Sequence, residues 1–445
     1  MEQMRRFCFL LLLSCVGAVV SKAEAAAQRS FDVLHYEARV EPDIAQKTVA
    51  GEVRITLVSR ADKLTEVEFD CGELTITAVR HIGEDLKFTR SGDRLKITLS
   101  RPAKAGEWLR ISVEYRGTPR HGIRFFPERE QTYTAFSTSQ WMVCVDAPED
   151  RATLRLVLIL PSKLKAVANG RLVSSRAWGE DKTAYEWMEE KPVPTYTYGF
   201  AAGPFRELTE RKGQVLLRYL AAPFSDQELR SIFGDTADMI RFFEERAGVR
   251  YAARTYTQVL AERGYGQEMS DFAVMGENYG RDVLAKKRDL WLSAHELAHQ
   301  WWGNMVTCVS WSHFWLNEGI ATFMANAYKE RRFGREAYLR EVEDNRKSYE
   351  RVRDAGHDKS LVFPDWSNPT ADDRTLVYDK GAYVIHLLRE ELGERAFWKG
   401  LRQYTRAYFG KSVTTADFQA AMERASGKNL SEFFNKWVYL KSNDE

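Results

Sequence analysis

The sequence predicts an α+β protein with more than one domain: an antiparallel β-domain followed by a helical domain with a small mixed sheet. Three observations support this fold class. The chain of 445 residues is long enough for two or three domains. Residues 28–206 form short runs rich in β-branched and aromatic side chains, and in residues 207–445 apolar residues recur at helical spacing. We therefore predict a domain boundary near Glu207.

The first 27 residues are predicted to be a signal peptide. Arg5 and Arg6 precede an apolar run that ends near Val20, and small residues follow at 23–27. This run of about 14 residues is too short for a spanning helix, which needs roughly 20. We expect an exported mature chain without a transmembrane span, either periplasmic or secreted. Residues 12–15 loosely resemble a lipoprotein motif, so a lipid anchor is an alternative.

Composition restricts the class of partner. The 65 basic and 63 acidic residues give a formal net charge of +2, which does not indicate a nucleic-acid partner. Outside the predicted signal peptide the chain has Cys71, Cys144 and Cys308. An odd and sparse set does not make a disulfide framework, so we expect three small buried side chains.

The predicted β-domain is an antiparallel β-sandwich or a saddle-shaped sheet. Turn signals such as Asn169-Gly170 separate its strands. The predicted strands are 31–40, 48–59, 64–71, 95–99, 108–115 and 152–160.

Helical spacing begins after Phe205. Ser225 and Asp235 are suitable N-caps for the first two predicted helices. Residues 256–260 read as a strand, and 331–353 as a charged helical segment with a solvated face. The other predicted helices are 226–233, 235–245, 381–392, 394–408, one that starts near Thr414 and stops at Gly427, and 431–440.

A metal-binding pattern lies at 291–302. His295 and His299 are four residues apart, so they project from one face of a helix. Glu296 lies about 100° round the helix from His295, which suits a base acting on a metal-bound water better than a third ligand. Catalytic zinc takes three protein ligands, and Glu318, in the apolar run 315–323, is the candidate for the third.

An isolated H-E-x-x-H pattern also arises by chance on amphipathic helices. Here two longer stretches accompany it, HELAHQWWGNMVT at 295–307 and WLNEGIATF at 315–323. They resemble the zinc motifs of the aminopeptidase N-like gluzincins, a metallopeptidase family that includes leukotriene hydrolase. The resemblance implies a thermolysin-like catalytic domain in which His295, His299 and Glu318 hold Zn²⁺ and Glu296 is the general base.

Two further stretches look like motifs of the same family. Tyr378, in a Tyr-x-Lys-Gly sequence, matches the tyrosine that donates a hydrogen bond to the oxyanion. Residues 141–148 and 168–170 resemble a signature of the family's N-terminal domain. Relatives carry a Gln-x-x-Glu motif just before it that helps to grip the substrate's amino terminus. Here Gln140 stands in that place and the glutamate is missing.

The family's exopeptidase motif, G-A-M-E-N, has two imperfect counterparts here. Glu268 follows the predicted strand 256–260 and lies 27 residues before His295. The segment around Glu277 shares more residues with the motif, but Glu277 lies only 18 residues before His295. We prefer Glu268 and keep Glu277 as the alternative. A carboxylate in a concave, partly dry site beside the zinc would hold the cationic α-amine of a peptide.

The resemblance implies a zinc aminopeptidase that removes N-terminal residues from peptide substrates outside the cytoplasm. The imperfect amine-binding motifs leave a zinc endopeptidase, or another hydrolase on this scaffold, as one alternative. A non-catalytic zinc-bearing binding module is the other. The sequence leaves the oligomeric state open.

Overall fold

The computed structural model describes residues 29–286, 290–363, 366 and 369–440. The predicted signal peptide, residues 1–27, lies outside the described residues. Within the described ranges, no helix combines the length and apolarity needed to cross a membrane. Cys71, Cys144 and Cys308 are buried free thiols, as predicted.

The N-terminal part of the chain consists mainly of β-strands. They are β1 (Phe31–Asp43), β2 (Thr48–Ser59), β3 (Leu64–Asp70), β4 (Thr75–His81), β5 (Glu84–Asp85), β6 (Lys87–Ser91), β7 (Arg94–Ala103), β8 (Trp108–Gly117), β9 (Ile123–Phe126), β10 (Gln131–Thr134), β11 (Arg151–Pro161), β12 (Lys165–Ala168), β13 (Arg171–Trp178), β14 (Lys182–Pro194) and β15 (Phe200–Gly203).

These strands form a large sheet of order β13-β14-β11-β1-β2-β8-β4-β5 and two smaller sheets, β12-β15-β10-β9 and β3-β7-β6. Alternate side chains of each sheet point into a common core, to which Ile55, Ile97 and Phe200 belong. Most strand pairs are antiparallel, as predicted, but β1 and β11 pair in parallel. Side-chain alternation has the same period in both arrangements, so the sequence pattern did not distinguish them.

The second part combines a small mixed sheet with helices. Its strands are β16 (Arg206–Lys212), β17 (Val215–Ala221), β18 (Thr255–Ala261), β19 (Gln267–Met269), β20 (Phe272–Gly276), β21 (Val306–Cys308) and β22 (Lys411–Val413). Its helices are α1 (Asp226–Phe233), α2 (Thr236–Ala247), α3 (Glu277–Lys286), α4 (Trp291–Ala298), α5 (Trp315–Phe333), α6 (Arg335–Asp354), α7 (Ala371–Thr375), α8 (Gly381–Leu392), α9 (Glu394–Tyr408), α10 (Thr415–Ser426) and α11 (Ser431–Phe434).

The mixed sheet has the order β16-β17-β18-β20-β19. β17, β18 and β20 run in parallel, and β19 is an antiparallel edge strand. This short edge strand lies beside α4. The sheet therefore brings the segment 267–269 next to the helix that carries the metal-binding pattern.

Capping explains where several helices begin and end. Ser225 and Thr414 each form a capping box at the start of α1 and α10, and Gly427 ends α10 in the left-handed conformation. Asp235 occupies the predicted N-cap position of α2, but its side chain makes no capping hydrogen bond. Its carboxylate accepts a hydrogen bond from Arg332 Nε at 3.0 Å and makes none to the backbone of α2.

Candidate active site

Three buried side chains meet where α4 and α5 cross. His295 lies in the last turn of α4, His299 directly follows that helix, and Glu318 lies in the first turn of α5. The two Nε2 atoms are 3.0 Å apart, and each lies 3.3 Å from Glu318 Oε2. Zinc bonds of about 2.0–2.2 Å in tetrahedral directions put the ligand atoms about 3.3–3.5 Å apart. The spacing therefore fits Zn²⁺.

The hydrogen bonds of this group leave electron pairs facing one another. His299 Nδ1 lies 3.0 Å from the carbonyl oxygen of Trp302, which can only accept, so Nδ1 carries the proton and Nε2 is free to bind a metal. His295 Nδ1 lies 3.4 Å from Thr322 Oγ1. Glu318 Oε2 is buried without a hydrogen bond among the described residues. A shared cation satisfies all three atoms at once.

The charges around the metal-binding group also favour a bound cation. Burial lowers the pKa of His299, but the carboxylates of Glu318 and Glu268 outweigh it and raise that pKa to about 10. Burial raises the pKa of Glu318, yet the charge of His299 and the closeness of both imidazoles, 3.3 Å from Glu318 Oε2, bring it down to about 2. A divalent cation bound by these three residues supplies that positive charge.

Glu296 points from α4 toward the edge strand of the sheet. A Cβ atom at Gly266 would stand 2.5 Å from Glu296 Oε1, so the carboxylate lies against the backbone there. Its other oxygen, Oε2, makes no hydrogen bond within the described residues. Burial raises the pKa of Glu296 well above its usual range. A free oxygen with a raised pKa suits a proton acceptor.

The structure separates the two candidate amine-binding glutamates. Glu268 lies on β19 and lines the same pocket as the metal-binding group, with its Oε2 accepting from Gln267 Nε2 at 2.7 Å. Burial and the charge of Glu318 raise the pKa of Glu268 to about 7, although His299 opposes them. Glu277, at the start of α3, instead accepts from Arg281 and Arg129 and does not line the pocket.

The segment after His299 holds β19 in place. Gln300 Nε2 donates to the carbonyl oxygen of Met269 at 2.9 Å, and its Oε1 accepts from the backbone N–H of Asp271 at 2.9 Å. Asn304 Nδ2 donates to the same Met269 carbonyl at 3.1 Å. We call this arrangement the β19 clasp. It fixes the strand that carries Glu268 to the segment that carries His299.

Tyr378 lies in a π-helical turn at Leu376–Lys380 that leads into α8. Its ring is nearly parallel to that of His295, with 5.8 Å between centroids. A Cβ atom at Gly319 would stand 3.0 Å from Gly381 Cα, so α5 and α8 approach closely only because both positions are glycine. This approach brings Tyr378 and Glu318 into one pocket.

Gln140 is not brought to this pocket. Its side chain lies against Gly72 and Gly122, and its Oε1 has no hydrogen-bond partner among the described residues. Phe136 lines the pocket from the same segment, at a bend in which Phe136 and Ser137 both have positive φ. The sequence prediction missed this bend because neither residue type favours that conformation.

The pocket is a cavity of about 140 Å³. Its remaining walls were not predicted from the sequence, because they come from residues beside the motifs. Trp291, whose ring lies nearly parallel to His295 at 4.8 Å, is the wall that the H-E-x-x-H helix itself could have suggested. The full lining is Phe136, Tyr265, Gly266, Glu268, Trp291, Leu292, His295, Glu296, His299, Glu318 and Tyr378.

Comparison with known families identifies both parts of the chain. Residues 33–197 match the Peptidase M1 N-terminal domain, and residues 231–437 match the Peptidase family M1 domain.

Among curated proteins, the chain is 25% identical to the probable aminopeptidase 2 of Sulfurisphaera tokodaii over 84% of its own length and 49% of that protein. It is 25% identical to aminopeptidase N of Lactococcus lactis over 92% of its own length and 51% of that protein. The chain thus spans about half the length of these relatives.

A solved structure of similar size shares the fold. It is a variant of the M1 zinc metallopeptidase from Deinococcus radiodurans bound to a Tyr-Ser-Ala substrate, with a TM-score of 0.79 and 24% sequence identity. The similarity covers 94% of this chain and 96% of that one.

Proposed function

Because the chain belongs to peptidase family M1, whose two domains match residues 33–197 and 231–437, we propose that it is a zinc-dependent aminopeptidase that hydrolyses N-terminal residues from peptides. One observation carries the proposal. The carboxylate of Glu268 shares a small cavity with the metal-binding group, Glu296 and Tyr378. A buried carboxylate at that point pairs with the α-ammonium group of a peptide, which only an N-terminal residue offers.

The metal-binding group, Glu296, Tyr378 and Glu268 have separate parts in the proposed reaction. Bound Zn²⁺ supplies a Lewis acid that polarises the carbonyl and lowers the pKa of a water toward about 7. Glu296 accepts the proton of the attacking water at its free carboxylate oxygen and delivers it to the leaving amine. The phenolic O–H of Tyr378 donates to the carbonyl oxygen as negative charge develops there. Glu268 holds the α-ammonium group and so aligns the first peptide bond.

The test uses fluorogenic amino-acid amides, each with a free and an acetylated amine, and the purified protein with and without a zinc chelator. We expect chelator-sensitive hydrolysis of the free-amine substrates alone. Hydrolysis of acetylated substrates or of internal bonds would favour an endopeptidase instead. If the zinc-loaded protein hydrolysed none of these substrates, a binding module would be favoured.

We also propose that the reaction takes place outside the cytoplasm, in the periplasm or as a secreted protein. The support is the predicted signal peptide at 1–27. Fractionation with N-terminal sequencing checks it, and we expect an exported chain that begins near residue 28. Recovery of the uncleaved chain from the cytoplasm alone would overturn the proposal, and metabolic labelling with a fatty acid tests the lipid anchor.

A further inference from the structure

A second cavity, of about 460 Å³, adjoins the catalytic pocket and shares Tyr265 with it. Four basic side chains line it: Lys47, Arg120, Arg124 and Arg263. Among the described residues no carboxylate lines this cavity, which we call the basic groove. Phe125, Phe126 and Tyr133 also line it. The protein as a whole has a net charge of only +2, so four cations around one cavity are a local concentration of positive charge.

Half of this charge is not neutralised by the protein. Arg120 is paired with Glu73, and Arg263 Nε lies 3.8 Å from Glu262 Oε1. Lys47 and Arg124 are exposed, and within the described ranges neither has a carboxylate within 4.0 Å. A groove with two unpaired cations attracts an anionic ligand and repels a cationic one.

The edge strand β19 gives the direction in which a peptide would run. Glu268, which would hold the amino terminus, lies in β19, and Glu296, the base, contacts the backbone two residues earlier, at Gly266. Tyr265 comes next, and it lines both cavities. An extended peptide advances about 3.3 Å per residue along an edge strand. With its amine at Glu268 and its first bond at Glu296, its later residues point toward Tyr265.

The loop between the two cavities is held in a defined conformation. The hydroxyl of Tyr133 donates to the carbonyl oxygen of Arg263 at 3.0 Å, and Arg263 has a positive φ of 49°. The ring of Tyr133 stacks on that of Phe126 at 5.7 Å. The groove is therefore built on packed side chains and adjoins the pocket through a fixed turn.

We propose that the basic groove binds carboxylate groups in the part of the peptide downstream of the cleaved bond, so that the enzyme prefers acidic peptides. The inference rests on the proposed aminopeptidase function and adds the substrate class. The carboxylates come either from Glu and Asp side chains or from the C-terminus of a short peptide. Both are recognised by the same cations, and substrate design separates them.

The test compares the peptides Leu-Ala-Ala-Glu-Glu-Ala and Leu-Ala-Ala-Gln-Gln-Ala, each with a free and an amidated C-terminus. Release of leucine gives kcat/KM for each. Two partly exposed ion pairs correspond to a preference of about fivefold for a carboxylate-bearing peptide. A preference for Glu over Gln identifies side chains, and a preference for the free acid over the amide identifies the C-terminus. Either preference should shrink at high salt, because exposed charges are screened.

The double variant Lys47→Gln/Arg124→Gln should abolish the preference. The matched control is Lys87→Gln/Arg176→Gln, which removes one lysine and one arginine from exposed strand positions that do not line either cavity. It changes the net charge equally and should retain the preference. Equal rates for all four peptides with wild-type protein, or equal loss in both double variants, would overturn the inference.

A binding measurement distinguishes failure of the basic-groove inference from failure of the proposed aminopeptidase function. Wild-type hydrolysis of leucine amide, which ends before the groove, tests the aminopeptidase activity alone. Calorimetric titration of the same four peptides into zinc-loaded Glu296→Gln protein needs no turnover. If leucine amide is not hydrolysed, the proposed function fails, and the ratio of the Kd values still decides the inference. We expect about fivefold tighter binding of a carboxylate-bearing peptide, and equal Kd values contradict the groove.

Discussion

The backbone of Gly266 and the carboxylate of Glu296 are in direct contact, because a Cβ atom at position 266 would stand 2.5 Å from Glu296 Oε1. Gly266 also has a φ of 106°, a conformation that side chains other than glycine rarely adopt. The site therefore needs glycine here for two separate reasons, and the two can be tested apart.

The substitution Gly266→Ala should displace the Glu296 carboxylate and lower kcat/KM by about 100-fold, the effect of a misplacement of about 1 Å. Zinc content should stay at the wild-type level, since no ligand moves. The control is Gly213→Ala, where φ is 65° and the space around the position is open. It introduces backbone strain alone and should keep full activity. Wild-type kinetics for Gly266→Ala would show that Glu296 has room to adjust.

The substitution Glu296→Gln should retain zinc and lower turnover by about 10²- to 10⁴-fold. The amide has the same shape as the carboxylate but does not accept the proton of the attacking water. Metal analysis and turnover of a fluorogenic amide are measured on the same sample. Turnover at the wild-type rate with zinc bound would exclude Glu296 as the base.

The substitution Glu318→Ala should abolish tight zinc binding, because it removes one of the three atoms that converge on one point. A ligand that binds only the folded protein raises its Tm. A chelator should therefore lower the Tm of the wild-type protein and leave that of Glu318→Ala unchanged. A variant with full zinc stoichiometry would require a different third ligand.

The substitution Tyr378→Phe should lower kcat by about 10²- to 10³-fold with little change in KM, because the missing hydroxyl acts mainly in the transition state. Stacking on His295 at 5.8 Å does not need the hydroxyl, so the fold should be retained. Steady-state kinetics and a melting curve check both points. An unchanged kcat would leave Tyr378 with a packing role.

The variants Glu268→Gln and Glu277→Gln should behave differently. Loss of the Glu268 charge should lower kcat/KM for free-amine substrates by about 10- to 100-fold, the size of a hydrogen bond to a charged group. Glu277→Gln should lower the Tm instead, since it leaves Arg129 and Arg281 without their shared buried carboxylate. If Glu277→Gln impaired amine recognition and Glu268→Gln did not, the assignment would be reversed.

Local patterns predicted much of the fold. Strand β2 and helices α1, α8 and α9 have the predicted limits, because alternation, helical spacing and caps are written within each segment. The metal-binding group was predictable for the same reason. His295 and His299 are four residues apart, and Glu318 is a glutamate within the apolar run 315–323. The sequence also predicted that the protein has a zinc cofactor, in agreement with the M1 family.

Features that depend on distant segments were not predicted. The parallel pairing of β1 with β11, the ion pair of Asp235 with Arg332 and the orientation of Gln140 all involve partners far apart in sequence. The preference for Glu268 over Glu277 rested on its position after the predicted strand 256–260 and on its spacing to His295. What brings Glu268 into the pocket is the edge position of β19, which only the folded sheet reveals.

The β19 clasp has a consequence for protein engineering. Gln300 and Asn304 bind the carbonyl oxygen of Met269 from the segment that follows His299. These hydrogen bonds hold β19 and the segment after α4 in a fixed relative position. If β19 from another enzyme were grafted onto this scaffold, the strand would therefore keep its position beside the metal-binding group only if residues 299–304 were transplanted with it. Under the proposed function, selectivity for the end of a peptide would therefore depend on β19 and residues 299–304 together.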